Sequence, residues 1–594
     1  MNDKLRACAH ESFRLGSEYG IVQVGRLGPR VVLHGNLRTI LDRCRTFADM
    51  DTHAAEIGRH FKLPPDQWGT IKVALADLRE RGLLISESDL VIARGDRRHK
   101  SPTRITTVAI ITCDRPVALM ECLQSYAHIY SVMDRPTEMI VMDDSTADQS
   151  RSQNRTALAS GCVLARTRYA DRSARETFIK ELAACGISSD VLRFGLLDGA
   201  VGVCGPKMGA NRNSVLVDTV GQKIFMADDD TLCLTSSHPE RVDGLDFVSH
   251  EEARDMHFFR SREDVRERYT WVGGDILSEH EQLLGRAIDD LAAQSGPGGC
   301  SFDRGCDHLL AALSEGEGDV LITMSGIGGD SGGYSGQWML SSRGKTQHRL
   351  WSDQAVFNTA FNSREVFGAA RRATVSHHLA CHSTTLGLAN DLCLPPFLPQ
   401  FANEDGVFGA IAGFGAPRSF FGHVPVAVFH NAAKGRRYVK KANFRVSDMV
   451  IALMVFSGPQ PLGGMATALR NIGRRLVEVA ELPPNEFWQV ATERATLLKA
   501  EQLRQMESAV KSGGSCPEYF ASAVREHIQE TCSNLSDPKY FVPYEFSSQL
   551  PPEDARTMAQ VFILSFGRLL LAWPDVLDAA RDLAARGIRI SKEL

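Results

Sequence analysis

Cysteine pairs of the CxxC type are absent from this sequence, and its 14 cysteines follow no regular spacing over 594 residues. Structural zinc sites and disulfide frameworks depend on such spacings, so the sequence predicts neither. Scattered cysteines in a long chain are typical of free thiols in a reducing compartment. We therefore expect a cytoplasmic protein.

Long apolar runs are also missing. The N-terminal stretch 1–16 has no apolar core of the kind that signal peptides carry. The longest apolar run, Val561–Trp573, is too short to span a bilayer and contains Arg568. The sequence therefore predicts no transmembrane segment.

Basic tracts are scarce, and the formal net charge is −5. Nucleic-acid-binding proteins usually carry a concentrated positive surface, so we expect no nucleic-acid partner. With 594 residues, of which 43% are hydrophobic, the chain is too long for one ordinary domain.

The most informative stretch is Gly205–Thr231, which closes with the short apolar run Ile224–Ala227 and then three carboxylates, Asp228, Asp229 and Asp230. The apolar run is predicted to be a buried strand. Three adjacent acids repel one another unless a cation is near, and ligands of open α/β sheets bind beyond the strand ends. Carboxylate oxygens suit Mg²⁺ or Mn²⁺. The alternative is a solvated acidic turn.

Upstream of the acids, a Gly-rich turn carries Lys207, and a helical run carries Asn211 and Arg212. A glycine-rich turn, a lysine and polar side chains next to strand-end acids favour a nucleotide-diphosphate site over the acidic turn.

Two earlier strands end in the same way. The runs Thr106–Thr112 and Glu138–Met142 are predicted to be buried strands; Asp114 follows the first, and Asp143 with Asp144 follows the second. Repeated strand–helix units predict a doubly wound, mostly parallel α/β sheet. An aspartate at a strand end can accept a hydrogen bond from a base or ribose, or it can cap the next helix.

The motifs TCDRP with the following ECLQS helix, VMDDST, GANRN and FMADDDT occur in this order. Together they resemble the GT-A fold of nucleotide-sugar glycosyltransferases, in particular the large inverting family 2. The residues that this resemblance implies for binding the donor nucleotide are Thr112, Asp114, Asp143, Asp144, Lys207, Asn211, Arg212 and Asp229. The implied metal ligands are Asp228, Asp230 and His430, with His423 as the alternative to His430. The implied cofactors are Mn²⁺ or Mg²⁺, with a nucleotide-diphosphate sugar, foremost a UDP-sugar, as the donor.

An acidic pair, Glu404 and Asp405, precedes a helical run in the stretch Leu394–Gly409. Enzymes similar to family 2 often carry such a pair beside the acceptor, where one carboxylate acts as the general base. We expect Asp405 to be this base and Glu404 to be the runner-up. The alternative is that the pair caps the following helix.

Residues 1–100 are predicted to form a separate domain. Its pattern is a hairpin, three helices and a two-stranded wing, which are assigned to Ile21–Val24 with Val31–His34, to Leu37–Phe47, Thr52–Phe61 and Asp66–Arg81, and to Leu83–Ile85 with Leu90–Ile92. This order resembles a winged helix and the PqqD-like peptide-recognition domains, which accept an extended peptide as an added strand. A structural appendage or a dimerisation unit is the alternative.

The remaining boundaries follow from composition. A charged segment, 94–104, is predicted to be a linker, residues 101–440 the GT-A domain, and residues 441–594 an α-helical domain for packing, homo-oligomerisation or acceptor binding. The Gly/Ser-rich stretch that follows Asp319–Met324 and contains Asp330 is predicted to be an acceptor or sugar loop, or else a plain surface loop.

The sequence as a whole predicts a metal-dependent glycosyltransferase that moves a sugar from a nucleotide-diphosphate sugar to a peptide or glycan, with inversion if Asp405 is the base. One alternative is a non-catalytic sugar-nucleotide-binding or peptide-binding protein on the same scaffold. Another is a sugar-phosphate nucleotidyltransferase, although the Gly-rich, basic opening loop of that class is not seen at Cys113–Ala118.

Overall fold

The computed structural model of the protein describes residues 4–15, 18–24, 30–92, 104–135, 137–161, 166–200, 202–249, 253–296, 298–377, 380–415, 418–439, 443–455, 463–512 and 516–594. The predicted linker 94–104 lies almost wholly outside these residues. The loop of the predicted hairpin and the predicted boundary at 440–441 lie outside them as well.

The N-terminal part contains a three-stranded antiparallel sheet and a separate strand pair around a helical core. Its elements are β1 (Leu5–Ala7), β2 (His10–Leu15), β3 (Tyr19–Val24), β4 (Arg30–His34), α1 (Gly35–Arg43), α2 (Met50–His60), α3 (Trp68–Glu80), β5 (Leu84–Ser86) and α4 (Glu87–Leu90). The predicted hairpin is confirmed, since β3 pairs with β4 and Ile21 lies opposite Val32. The predicted wing is wrong: β5 pairs with β1, and Leu90 ends a helix.

The central part is a mixed α/β structure around a 14-stranded sheet. Its first elements are β6 (Thr107–Thr112), α5 (Pro116–Val132), β7 (Glu138–Asp143), α6 (Asp148–Gly161), β8 (Arg166–Ala170), α7 (Arg172–Ala184), α8 (Ser189–Arg193), α9 (Met208–Asp218), β9 (Lys223–Asp228), β10 (Thr231–Ser237), β11 (Leu245–Val248), β12 (Arg254–Phe258) and α10 (Arg262–Arg268). They are followed by α11 (Ile276–Glu281), α12 (Ile288–Ser295), β13 (Cys300–Arg304), α13 (Asp307–Glu315), β14 (Asp319–Asp330), α14 (Gly344–Ser352), α15 (Gln354–Asn362), β15 (Glu365–Ala370), β16 (Ala373–Ser376), β17 (Thr385–Ala389), α16 (Glu404–Gly415) and β18 (Ser419–His430).

The C-terminal part is helical and ends in one short strand. Its elements are α17 (Val446–Val455), α18 (Gly464–Ala480), α19 (Pro484–Ser512), α20 (Glu518–Leu535), α21 (Tyr544–Ser547), α22 (Pro552–Ala585) and β19 (Lys592–Glu593).

The strands of the large sheet follow the order β13-β11-β16-β18-β14-β17-β9-β6-β7-β8-β19, with β10 on β18, β15 on β14 and β12 on β15. The block β9-β6-β7-β8 is parallel, as the repeated strand–helix units predicted. The rest of the sheet is mixed, because β17 enters antiparallel to both β9 and β14. The carboxyl ends of β6, β7 and β9 therefore meet at one edge of the sheet.

The Gly-rich stretch predicted to be a loop is in part a strand. β14 continues to Asp330, and its glycines let neighbours approach closely: a Cβ at Gly328 would lie 2.1 Å from the Trp271 ring, and one at Gly326 would lie 2.2 Å from the Gly368 carbonyl oxygen. The segment without strand structure begins only at Ser331.

The C-terminal helices share a hydrophobic core with the sheet. The ring centroids of Phe194 and Phe562 are 5.3 Å apart, and the buried Trp573 donates its indole N–H to the Leu394 carbonyl at 2.9 Å. The main-chain N–H of Ser591 donates to the Asp218 carboxylate at 2.9 Å. The predicted GT-A and helical domains therefore do not have separate cores.

The N-terminal part contacts the edge of the large sheet that β13 forms, at the other end of the strand order from β8 and β19. Asp307 pairs with Arg6 at 2.7 Å and with Arg45 at 2.9 Å, and Phe47 packs near Phe302 with ring centroids 6.2 Å apart. Both arginines lie on the N-terminal part, so Asp307 contributes to holding it against the sheet.

One helix in the described part of the chain, α22, is long and apolar enough to cross a membrane by length and composition. Of its most apolar window, 56% is buried inside the structure. Core helices of globular proteins pass the same test, so this helix is weak evidence for a membrane span.

We expect Gly209→Ala to destabilise the protein by about 1–3 kcal/mol. A Cβ there would lie 1.8 Å from the Leu398 carbonyl oxygen and would push α9 away from the segment that contains Leu398. Gly69→Ala is the matched control in helix α3, where a Cβ meets nothing within 4 Å. It should raise stability by about 0.5 kcal/mol through its higher helix propensity. Chemical denaturation measures both changes, and an unperturbed Gly209→Ala would contradict this packing.

Candidate functional site

The three consecutive carboxylates lie at the carboxyl end of β9. The apolar run Ile224–Ala227 is fully buried between β6 and β17, and the chain turns at Asp229 and Asp230 into β10. The turn is fixed at both ends, because the Asp228 N–H donates to the Thr384 carbonyl at 3.2 Å and the Asn431 N–H donates to the Asp230 carbonyl at 2.7 Å.

Arg115 binds two of these acids. Its guanidinium contacts Asp229 at 2.7 Å and Asp230 at 2.6 Å, and the Thr112 hydroxyl donates to Asp229 at 2.7 Å. Burial raises the pKa of Asp229 to about 7, although Arg115 opposes the rise. Two strand ends, those of β6 and β9, are thus joined through one arginine and one hydroxyl.

His430, the last residue of β18, reaches the same cluster. Its Nδ1 lies 2.6 Å from the Asp330 carbonyl oxygen and its Nε2 lies 3.2 Å from an Asp230 carboxylate oxygen. A carbonyl only accepts hydrogen bonds, so Nδ1 carries a proton and Nε2 faces the acid. Burial opposes the charge, but Asp230 raises the pKa of His430. His430 and Arg115 in turn lower the pKa of Asp230 against its burial.

The third acid, Asp228, is held by a buried arginine. Arg212 is 1% exposed; it contacts Asp228 at 2.7 Å and Glu404 at 3.3 Å and donates to the Ser383 carbonyl at 3.4 Å. Burial and the neighbouring Asp405 raise the pKa of Glu404, and Arg212 opposes the rise. Arg212 therefore joins the acid cluster to the predicted catalytic pair.

Asp405, the second residue of the predicted catalytic pair, is partly exposed. Main-chain N–H groups and one hydroxyl set the orientation of its carboxylate. It accepts from the Ser383 N–H at 3.0 Å, the Ser383 hydroxyl at 3.1 Å and the Gly406 N–H at 2.8 Å. A carboxylate held in this way presents its remaining lone pairs in a fixed direction.

Backbone strain is concentrated around the site. Phe401, Asn403 and Asp114 have φ angles of 77°, 69° and 52°. Non-glycine residues adopt this region rarely, and such residues cluster at functional sites. Asn403 immediately precedes the acidic pair, Phe401 lies two residues before Asn403, and Asp114 follows β6.

Of the residues predicted to hold the nucleoside, Asp114 lies at the rim, whereas Thr112, Asp143 and Asp144 are buried. Asp114 is exposed and accepts from Thr146 and Ala147 main-chain N–H groups, each at 3.1 Å. Asp143 is 0% exposed, and Asp144 is buried against arginines. The partners of Asp143 are Ser145, Asn154 and Tyr169, and those of Asp144 are Arg172 and Arg175. Asp114 is therefore the carboxylate of this group that a ligand can reach.

The polar residues before the acids are also placed differently from one another. Asn211 is 2% exposed and donates to the main-chain carbonyls of Thr112 and Met142, so it holds β6 and β7 together. Lys207 occupies the N-cap position of α9, makes no side-chain capping hydrogen bond and is partly exposed. His423 lies opposite Thr374 in the earlier half of β18, away from the strand end that carries His430.

A second group of possible metal ligands consists of His238, Asp255 and His257, whose ligand atoms lie within 4.8 Å of one another. The Glu240 N–H donates to His238 Nδ1 at 2.9 Å, so the proton of this imidazole lies on Nε2, which faces Asp255 at 3.3 Å. Arg349 also contacts Asp255 at 2.6 Å. These contacts suit a charge-paired cluster better than a cation site.

Sequence reasoning missed two residues that organise the site, Arg115 and Ser383. Arg115 stands directly after Asp114 in the TCDRP motif, where a cation among strand-end acids was a usable signal. Ser383 had no signal, because its own segment is ordinary in sequence and nothing in the sequence shows that it meets Asp405.

We expect His430→Gln to destabilise the metal-free protein most at low pH. The folded-state pKa of His430 is raised, so its pair with Asp230 adds stability below about pH 6.5 and loses it as the pH rises through the folded pKa. The variant should lose about 1–3 kcal/mol at about pH 6 and less at about pH 9. Denaturation in EDTA measures this, with the exposed His128→Gln as control. A loss that grows with pH would contradict the pairing.

No model of a known protein family matches the chain, and no curated protein sequence matches it significantly. A function for this protein must therefore be argued from its own residues and their geometry.

Proposed function

We propose that the protein is a metal-dependent glycosyltransferase that moves a sugar from a nucleotide-diphosphate sugar to a peptide or glycan acceptor. One observation carries this proposal: three consecutive carboxylates at the end of a buried strand are connected through Arg212 to an acidic pair at the start of a helix that follows a strained segment. A cation site and a general base held at a fixed separation are what such a transfer requires.

Asp230 and His430 would supply two ligands to a Mg²⁺ or Mn²⁺ ion at the acid cluster. Asp230 and His430 offer an oxygen and a nitrogen 3.2 Å apart, and the Nδ1–H bond to Asp330 leaves Nε2 as the ligand atom. Asp228 keeps about a fifth of its side chain exposed, at 23%, next to these groups. When bound, the metal supplies positive charge to the leaving diphosphate.

The protein's own groups then have separate roles. Arg115 and Lys207 lie at the edge of the sheet where the diphosphate would bind, and Asp114 is the reachable acceptor for the nucleoside. Asp405, oriented by Ser383, takes the proton of the acceptor hydroxyl. The hydroxyl oxygen bonds to the anomeric carbon, and the bond from that carbon to the diphosphate oxygen breaks with its electron pair.

The N-terminal part supports a peptide as one acceptor class. β2 is an edge strand of its sheet, and Phe13 and Leu15 on it are 53% and 50% exposed. An exposed edge strand with apolar side chains can pair with an extended peptide.

A non-catalytic sugar-nucleotide-binding protein is the second candidate. Arg115 and Arg212 already pair with the acids, which is also the arrangement expected of a scaffold that has no metal. Turnover of a sugar nucleotide by the wild-type protein distinguishes the two candidates.

Asp230→Asn should abolish Mn²⁺-dependent binding of a sugar nucleotide and its turnover while the fold is kept. The substitution removes the charge that His430 and the metal would share. Calorimetry with UDP-, GDP- and dTDP-sugars, with and without Mn²⁺, measures binding. Asp148→Asn is the matched control, because its side chain is 96% exposed on α6. Wild-type turnover in Asp230→Asn, or full wild-type activity in excess EDTA, would remove the metal from the proposal.

Asp405→Asn and Glu404→Gln should separate catalysis from binding. Asp405→Asn removes the base, so transfer should fall by roughly 10²–10⁴-fold while donor affinity stays near that of the wild type. Glu404→Gln should weaken donor binding as well, because Glu404 and Asp228 share Arg212. An inactive Glu404→Gln with an active Asp405→Asn would identify Glu404 as the base, and two active variants would make the segment structural.

A further inference from the structure

A cavity of about 620 Å³ lies between the segment that follows β14 and the C-terminal helices. Its walls come from residues 331–346 on one side and from α19 and α20 on the other. This volume is within the range of pockets that hold small molecules, roughly 300–1,000 Å³. The proposed donor site does not use this cavity.

The lining combines polar side chains with apolar ones and a few aromatic rings. Hydroxyl and amide side chains predominate, among them Ser335, Ser342 and Gln502, and the rings are those of Tyr334, Trp338 and Tyr540. Saccharides carry hydroxyl groups around their edges and apolar C–H groups on their faces. Hydroxyl and amide groups pair with the former, and aromatic rings pack on the latter.

Three of the charged side chains in the wall form one paired group. Asp448 lies 3.6 Å from Lys499 and 3.7 Å from Arg445, and the Arg445 guanidinium lies 5.3 Å from the centre of the Tyr334 ring. The wall also carries Arg254, Arg343 and Glu530, so an oligosaccharide with or without a carboxylate fits its chemistry.

Three segments lead from the cavity wall to the candidate site, two of them to the acidic pair and one to His430. Asn403 precedes the acidic pair, and His382 precedes Ser383, which donates to Asp405. Ser331 follows Asp330, whose carbonyl accepts from His430. Because consecutive Cα atoms are about 3.8 Å apart, the inner end of the cavity lies within one or two residues of Asp405.

We propose that this cavity binds a saccharide acceptor and presents one of its hydroxyl groups to Asp405. The inference rests on the proposed glycosyltransferase function for the transfer step alone. In that step the saccharide oxygen bonds to the anomeric carbon of the donor sugar, the carbon–oxygen bond to the diphosphate breaks with its electron pair, and the hydroxyl proton passes to Asp405.

The test fills the cavity without disturbing the core. Gln502 lines the cavity from the exposed face of α19, so Gln502→Trp should weaken saccharide binding by roughly 10-fold or more. Arg504→Trp is the matched control: it lies on the same helix, its side chain is 68% exposed, and it does not line the cavity. Calorimetry on the full chain with a panel of neutral and carboxylate-bearing oligosaccharides, and with an unstructured serine-rich peptide, measures the affinities.

Saccharide binding that Gln502→Trp loses and Arg504→Trp keeps supports the assignment. Equal binding by both variants, or no saccharide binding anywhere in the panel, overturns it. Peptide binding that Gln502→Trp alone abolishes, without saccharide binding, overturns it in favour of a peptide site.

Failure of the proposed function has a different signature. If the wild type binds and hydrolyses no sugar nucleotide while saccharide binding remains sensitive to Gln502→Trp, the glycosyltransferase proposal fails and the saccharide site stands. If donor hydrolysis is intact in both variants and saccharide binding is unaffected, only the cavity assignment fails.

Discussion

A buried guanidinium sets the geometry of the whole site. Arg212 is 1% exposed and lies between Asp228 at the end of β9 and Glu404 at the start of α16. A buried charge is stable only when it is paired, and removing one partner of a buried pair costs about 3–5 kcal/mol. The helix that carries Arg212, the strand that carries the acids and the helix that carries the acidic pair must therefore keep one relative position. Asp405, the neighbour of Glu404, is fixed with respect to the strand end for the same reason.

Short-range patterns in the sequence were enough to predict the strands that lie nearest the three acids. The strands β6, β7 and β9 are apolar, β-branched or methionine-rich runs. β7 and β9 end in aspartate, and Asp114 follows β6. The predicted bounds of all three strands agree with the structure to within one residue. Pairings between distant segments were not predictable in this way. β17 enters between β9 and β14, and β5 pairs with β1 where a wing was predicted, because each partner is chosen by packing that no local pattern encodes.

In the candidate site, too, local sequence patterns predicted some features and the packing of distant segments decided the others. The acids and His430 were marked by residue type at strand ends, and the structure brings Asp230 and His430 together. Residue type alone did not separate ligand-facing groups from structural ones, so Asp143 and Asn211, which the resemblance implied for the nucleotide, lie inside the fold. Asp143 and Asn211 occur at the places in the motif order that the resemblance requires. Whether their side chains are buried, however, depends on the helices that cover the sheet. The metal-binding roles of Asp228, Asp230 and His430 and the catalytic roles of Glu404 and Asp405 remain predictions.

The contact between Asp218 and Ser591 has a consequence for how the protein is made. These residues are 373 positions apart, and Asp218 is the last residue of the helix that carries Arg212. Contacts of such long sequence separation slow folding, because the loop between them must close before they add any stability. The helix can reach its final packing only after the segment that carries Ser591 has left the ribosome. During synthesis its apolar surface would remain uncovered, which makes the nascent chain a natural client for chaperones.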